Sequence, residues 1–478
     1  MGWKVVRALA IGAALAVCGA AQAQTQSEPA MAPPADPASR TLARDIFQHV
    51  IGMETSVEGH QVPQMAAYLA GLFRQAGFPE SDIHIVPVGD TASLIVRYRG
   101  DGSGGRPIIL MAHMDVVTAH RNDWQRDPFT LVEENGYFFG RGASDVKNGV
   151  SILSATLLRL KAEHFTPTRD LILYFSGDEE TSGQTTITVL RDHRDLVDAE
   201  YALNSDSGGG SLDEATGRAQ LYTFQAAEKT FASFTLTAHN PGGHSSQPRP
   251  DNAIYDIADA LEHVRGYRFP VMWNDITVTS FRMAGPATPA PIGPAMVAFA
   301  RHPGDRRAAQ TLSASPFYVG QVRTTCIPTL IQGGHADNAL PQSVVATVNC
   351  RIFPGVPIAT VQAQLQRLAG EHIAVAPLDQ YHSSDASPLR QDVVDAVTHA
   401  VHARHPGVPI IPSMASGASD GVFFREAGIP TYGVGETFIK ESDDFSHGLN
   451  ERISVDAFYE GLVHWRVLLN DLAGHARS

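Results

Sequence analysis

Six side chains that can offer nitrogen or oxygen to a cation follow one another in the first half of the chain: His113, Asp115, Asp145, Glu179, Glu180 and Asp206. A seventh, His447, stands near the end. Each follows an apolar run or sits in a loop, where a rigid scaffold presents reactive groups. Singly, each has a plain reading: His113 as a loop histidine, Glu179 and Glu180 as a solvated acidic turn, Asp145 and Asp206 as turn or helix caps. Together they suit a pair of metal ions, which needs imidazole and carboxylate ligands, a carboxylate shared between the ions and an open position for water. Asp145 is the candidate for the shared group. It lies in the stretch 140–149, GRGASDVKNG, whose small residues permit a sharp turn.

The elements around these residues place them. A short run of apolar residues, 107–111, reads as a strand buried on both faces and leads to His113 and Asp115. A helix over 149–161 precedes a second such strand, 170–175, which ends in Ser176-Gly-Asp-Glu-Glu-Thr181. If that segment is extended, Glu179 and Glu180 point in opposite directions. After a helix over 185–190, the short strand 201–204 ends beside Asp206. Ligands collect at the carboxyl ends of strands in open α/β sheets, so these groups are well placed to converge. Upstream lie a surface helix over 62–77 and strands over 83–88 and 93–98.

Near Gln225 the pattern changes, because 231–238 alternates apolar and polar residues as a half-exposed antiparallel strand does. A helix over 253–265, strands over 324–332 and 344–353 and a helix over 360–369 complete a small α+β sandwich. The Pro-rich segment 268–321 has no assignable period. A helix over 391–405, apolar segments 408–411 and 429–434 and a helix over 455–469 then resume the first pattern. The expected architecture is an α/β domain with a mixed, largely parallel sheet covered by helices, split into 40–224 and 381–478, with a two-layer α+β domain inserted over 225–380.

Lys4 and Arg7, an apolar run 8–20 and Ala21-Gln22-Ala23 have the order of a secretory signal peptide cleaved after Ala23. That predicts an exported, secreted or periplasmic protein. Residues 24–39 read as a flexible leader. The net charge is −14, and losing Lys4 and Arg7 takes it to −16, which argues against nucleic acid and anionic membrane surfaces as partners. Cys326 and Cys350 remain, either paired across a hairpin or as two separate buried thiols.

The motifs HMDVV, GRGASDVKNG, SGDEET, NSDSGG, GGHSS and HGLNER in combination resemble the co-catalytic di-zinc metallopeptidases and deacylases, over nearly the whole mature chain. The resemblance implies two zinc ions, with cobalt or manganese as possible substitutes. It implies that His113 and Asp206 hold one ion, Glu180 and His447 the other, and that Asp145 bridges them. Glu179 would be the general base, and Asp115 would orient the His113 ring. In that family the peptide bond after the bridging Asp is often cis, here Asp145–Val146. The inserted domain would act as lid and homodimer contact, carrying His244 into the neighbouring active site; otherwise His244 is a turn residue. Asn338 and Arg351 would receive the substrate carboxylate, with Ser419 near the same end, although Arg351 in a surface ion pair is the plainer reading. The activity expected is a secreted exopeptidase acting on small peptides, of carboxypeptidase or dipeptidase type. The alternatives are an N-acyl-amino-acid deacylase with the same chemistry and a non-catalytic binding protein of the same fold.

Overall fold

The computed structural model describes residues 31–475. The signal-like segment 1–23 and the first residues of the expected leader lie outside them. The end of that leader is helical rather than loose: a helix spans Pro37–Ile51, with Asp36 accepting bonds from the Ala38 and Ser39 amides and Pro37 in the first turn. Ile46, Phe47 and Val50 on this helix are buried, which holds it against the body of the protein. Its first two turns carry few large apolar residues, so the sequence shows the helical period only from its middle onwards.

The main sheet has ten strands. Its centre is Leu171–Ser176, Ile108–His113, Tyr201–Asn204 and Thr431–Gly433, side by side and parallel, while Ile83–Val88 and Thr91–Tyr98 form an antiparallel hairpin at one edge. Every residue of Ile108–His113 and of Leu171–Ser176 is buried, because helices cover both faces. One face packs Phe47, Phe458, Trp465 and Leu153 from the helices Pro37–Ile51, Val455–Ala473 and Lys147–Ala162. The other packs Ile109, Met111, Ile172 and Tyr174 against Val189 and Phe424. In this arrangement the carboxyl ends of three parallel strands face the same way, so the residues just beyond them are neighbours.

The change of pattern falls later than expected. Ala219–Glu228 still belongs to the main sheet, paired with Ile410–Ala415 and Gly209–Leu212, and its residues 224–228 are all buried. Alternation begins with Thr230–His239, which lies in a separate four-stranded antiparallel sheet ordered Thr325–Gly333, Ser343–Ile352, Thr230–His239, Ile373–Pro377. One face of this sheet packs Phe234, Leu236, Val344, Ala346 and Val348 on Ile257, Val361 and Leu365 of the helices Ala253–Gly266 and Ile358–Ala369. The strand Ile373–Pro377, of five residues, is too short to be marked by its period alone. Cys326 and Cys350 face each other in register across the outer two strands and are disulfide-bonded. The unassigned segment 268–321 holds three short helices, Asp275–Ala284, Ile292–Arg301 and Arg306–Ser313, around Phe281, Met296, Phe299 and Leu312. No helix among the described residues is long and apolar enough to cross a membrane.

Candidate metal centre

His113 ends its strand with the ring almost fully buried. Its Nε2 is 3.1 Å from Asp145 Oδ1, 3.6 Å from Asp206 Oδ1 and 4.0 Å from Glu179 Oε2. On the other side of Asp145, Oδ2 is 3.1 Å from His447 Nε2, which is also 3.0 Å from Glu180 Oε1. One carboxylate thus faces two imidazoles, one through each oxygen. A cavity of about 280 Å³ opens over this group, lined by Asp145, Glu179, Glu180, Asp206, Ser419 and His447.

Each side chain is held by its local backbone. Asp145 follows a turn in which Gly142 has a φ of +85°, and a Cβ there would lie 2.8 Å from Lys147 and 2.9 Å from Val116, so only glycine fits. The Asp145–Val146 peptide is cis. Glu179 and Glu180 do not lie on an extended segment. They occupy a tight turn in which the Asp178 carbonyl accepts the amides of Thr181, Ser182 and Gly183, because the Asp178 side chain caps the next helix at Gln184 and Thr185. Asp115 lies against the His113 ring mainly through its backbone oxygen. The His113 Nδ1 lies 3.0 Å from the backbone oxygen of Asp115 and 3.6 Å from its carboxylate. That carboxylate instead accepts the amides of Glu179 (3.1 Å) and Glu180 (2.9 Å).

Burial pushes Glu179 well above the usual carboxylate range; the His113 ring opposes this, while Asp206, Asp420 and Asp115 add to it. Burial also pushes Asp206 and Asp115 up to about 6. It works against ionisation of Asp145 too, but bonds to the His113 and His447 rings hold that carboxyl below its ordinary range. Bonds to Asp145 and Glu180 raise His447 to about 10. Such a concentration of acids, focused on two imidazoles, calls for cations.

The donor set fits them. Two ligand atoms on a tetrahedral ion with bonds of about 2.0–2.1 Å lie roughly 3.3 Å apart. The separations of 3.1 and 3.6 Å at His113 bracket that value, and those of 3.1 and 3.0 Å at His447 fall just short of it. Donor atoms of His113, Asp145 and Glu180 lie within 4.8 Å of one another, and so do those of His113, Glu179 and Asp206. The second grouping would make Glu179 a ligand, but its 4.0 Å from His113 is too long for that edge.

Of the remaining expected residues, only Ser419 lines this cavity. His244, in a two-strand ladder with Ala339–Leu340, is exposed, bonds Ser246 Oγ at 2.7 Å and does not line the cavity. Asn338 is exposed beside it, and its carbonyl accepts the Ser245 amide. Among the described residues Arg351 has no ion-pair partner: it lies over the Phe231 ring and donates to the Ser416 carbonyl at 2.8 Å, where the loop that carries Gly417, Ala418 and Ser419 into the cavity begins. Burial alone depresses its pKa. Ser419 lines the cavity, with its hydroxyl donating to Glu228 at 3.0 Å. Sequence reasoning passes over Asp420, which accepts bonds from Ser176 and Thr186 behind Glu179, and Glu451, which braces Asp145. The second of these stands in plain view in the HGLNER motif.

Strand ends and loops that gather two imidazoles and four carboxylates under an open cavity belong to a metal-dependent hydrolase. The chain belongs to peptidase family M20/M25/M40, whose sequence model matches residues 109–471. It is 27% identical over 380 residues to the human N-fatty-acyl-amino acid synthase/hydrolase PM20D1, covering 77% of this chain and 74% of that one. Its fold is similar to that of an M20 family metallo-carboxypeptidase, Sso-CP2, from Sulfolobus solfataricus, with a TM-score of 0.66 and 18% identity over 92% of this chain and 99% of that one. It is also similar to YXEP of Bacillus subtilis, described as a dinuclear metal binding peptidase, with a TM-score of 0.56 and 12% identity over 91% of this chain and 98% of that one.

Proposed function

We propose that this hydrolase is an exported zinc-dependent exopeptidase of carboxypeptidase or dipeptidase type, which releases a residue with a free carboxylate from small peptides. The observation that carries the reading is Asp145 between two imidazoles, at 3.1 Å from each. His113, Asp206 and Asp145 would hold one ion, and Glu180, His447 and Asp145 the other. Bound there, the ions would acidify water and neutralise the charge that grows on the substrate's carbonyl oxygen. Glu179, on the cavity wall but too far from His113 to be a ligand, takes the proton from the attacking water and passes it to the leaving amine. Asp115 holds the Glu179 and Glu180 amides, so base and ligand keep their positions. Arg351, with no carboxylate partner among the described residues, receives the substrate's carboxylate.

Export is supported by the order of the first 23 residues and by the Cys326–Cys350 disulfide, which persists in oxidising compartments. Pairing with a second copy is supported by the edge strand Thr325–Gly333, which exposes Ile327, Leu330 and Ile331, and by the position of His244 and Asn338 outside the cavity of their own chain. A second reading replaces the aminoacyl group with a fatty or simple acyl group, and the similarity to human PM20D1 favours it. Metal analysis, with hydrolysis assays on Ala-Leu, on the same dipeptide blocked at either end and on N-oleoyl-leucine, with and without chelator, tests both. Cleavage of Ala-Leu alone supports the exopeptidase, and cleavage of N-oleoyl-leucine alone supports the second reading. Activity that survives complete metal removal would sink both.

A further inference from the structure

Glu451 is fully buried, four residues beyond His447, and takes no part in the proposed chemistry. Its carboxylate nevertheless gathers the turn that carries Asp145. Oε1 accepts the amides of Ser144 at 2.8 Å and Asp145 at 3.0 Å and the Ser144 hydroxyl at 3.1 Å. Oε2 accepts the Gly142 amide at 3.1 Å and Arg141 Nη1 at 2.6 Å. The Glu451 backbone oxygen accepts the Gly140 amide at 3.1 Å. Arg141, also buried and stacked over Trp124, turns its other arm to the His447 carbonyl at 3.3 Å. Arg141 and Glu451, 310 residues apart in sequence, therefore join two loops by one ion pair, and each loop carries one of the facing groups, Asp145 and His447.

We propose that Glu451, with Arg141, is a positioning residue that fixes Asp145 and His447 relative to each other, so that the two metal positions form as one unit. This rests on the di-metal reading above. The ligand-to-ligand separations are set to a few tenths of an ångström, and a turn rich in glycine cannot hold such a setting by itself. An ionised carboxylate only accepts, so its two oxygens can be shared among these donors without offering one back. Gln at this position keeps the size but brings an NH₂ against either the Ser144 and Asp145 amides or Gly142 and Arg141. Lys in place of Arg141 keeps the charge but lacks the fork that reaches Glu451 and His447 together.

The test is calorimetric titration of zinc into metal-free wild type, Glu451→Gln and Arg141→Lys, with melting temperatures of the metal-free proteins and kcat and KM at saturating zinc. The expected result for Glu451→Gln is a loss of about 10–100-fold in affinity at both positions, with kcat lowered and KM nearly unchanged. Arg141→Lys should weaken the position on the His447 side more than the other. Leu468→Ala, buried in the last helix and remote from the turn, serves as the control for general destabilisation. If Glu451→Gln binds two ions as wild type does, or if Leu468→Ala loses as much affinity at a matched fall in melting temperature, the proposal is overturned. Should Glu451→Gln fail to fold, Arg141→Lys carries the test alone, and wild-type affinity at both positions would then refute it. A wild type that takes up fewer than two ions would instead refute the di-metal reading.

Discussion

Glu179→Gln separates a base from a ligand. The side chain stands on the wall of the metal cavity, and its Oε2 is 4.0 Å from His113 Nε2, where Asp145 and Asp206 stand at 3.1 and 3.6 Å. Around a tetrahedral ion the edge is roughly 3.3 Å, so Glu179 can join the same ion as His113 only by opening the angle far beyond tetrahedral. As the proposed base, it would contribute about 10²–10⁴ to turnover, or roughly 3–5 kcal/mol at 1.36 kcal/mol per decade. The amide has nearly the same volume and cannot ionise in a pocket where burial and the nearby Asp206, Asp420 and Asp115 already oppose the charged form of Glu179, so the metal-free fold should be no less stable. The expected outcome is two bound ions by plasma emission, an unchanged zinc isotherm to within about threefold, and kcat down by about 10²–10⁴. A variant that loses an ion along with turnover would show Glu179 to be a ligand. Turnover within tenfold of wild type would show that another group moves the proton.

Asp145→Asn should weaken both metal positions together, read as zinc content after dialysis against a weak chelator, and loss of a single ion would count against a bridge. Arg351→Met should raise KM by about 10–100-fold for substrates with a free carboxylate, as one or two charged hydrogen bonds are worth, and leave the corresponding amides unaffected. The ring of His464 is buried in the last helix, and burial lowers its pKa to about 4. Because the folded state favours the neutral ring, its contribution to stability is intact above pH 6.5 and is lost as pH falls towards 4, by about 3 kcal/mol in total. His464→Leu should therefore flatten the acid limb of the melting-temperature profile between pH 6.5 and 4, and an unchanged limb would refute the assignment.

What could be read in the sequence, and what could not, follows from the kind of partner each residue uses. His113, Asp145, Glu179, Glu180 and Asp206 stood out because buried strands and a glycine turn announce where a chain stops and presents a side chain, whereas His447, in a loop, was named by the family resemblance. The two sheets were legible for the same reason: one has strands buried on both faces, and the other alternates. Period alone did not reveal the helices within 268–321, since Pro291 and the glycines at 285 and 304 break the segment into pieces of ten residues or fewer. The positioning groups were hidden for a different reason. Asp178 and Glu451 accept bonds from backbone amides as well as from side chains, and every residue but proline supplies an amide, so no spacing of side chains marks their role. Their burial is the common trait, because a carboxylate can be kept from water only where several donors converge on it. In this protein those donors belong to the turns that carry the facing acids and imidazoles. The charges that cannot be read from sequence therefore hold in place the ones that can.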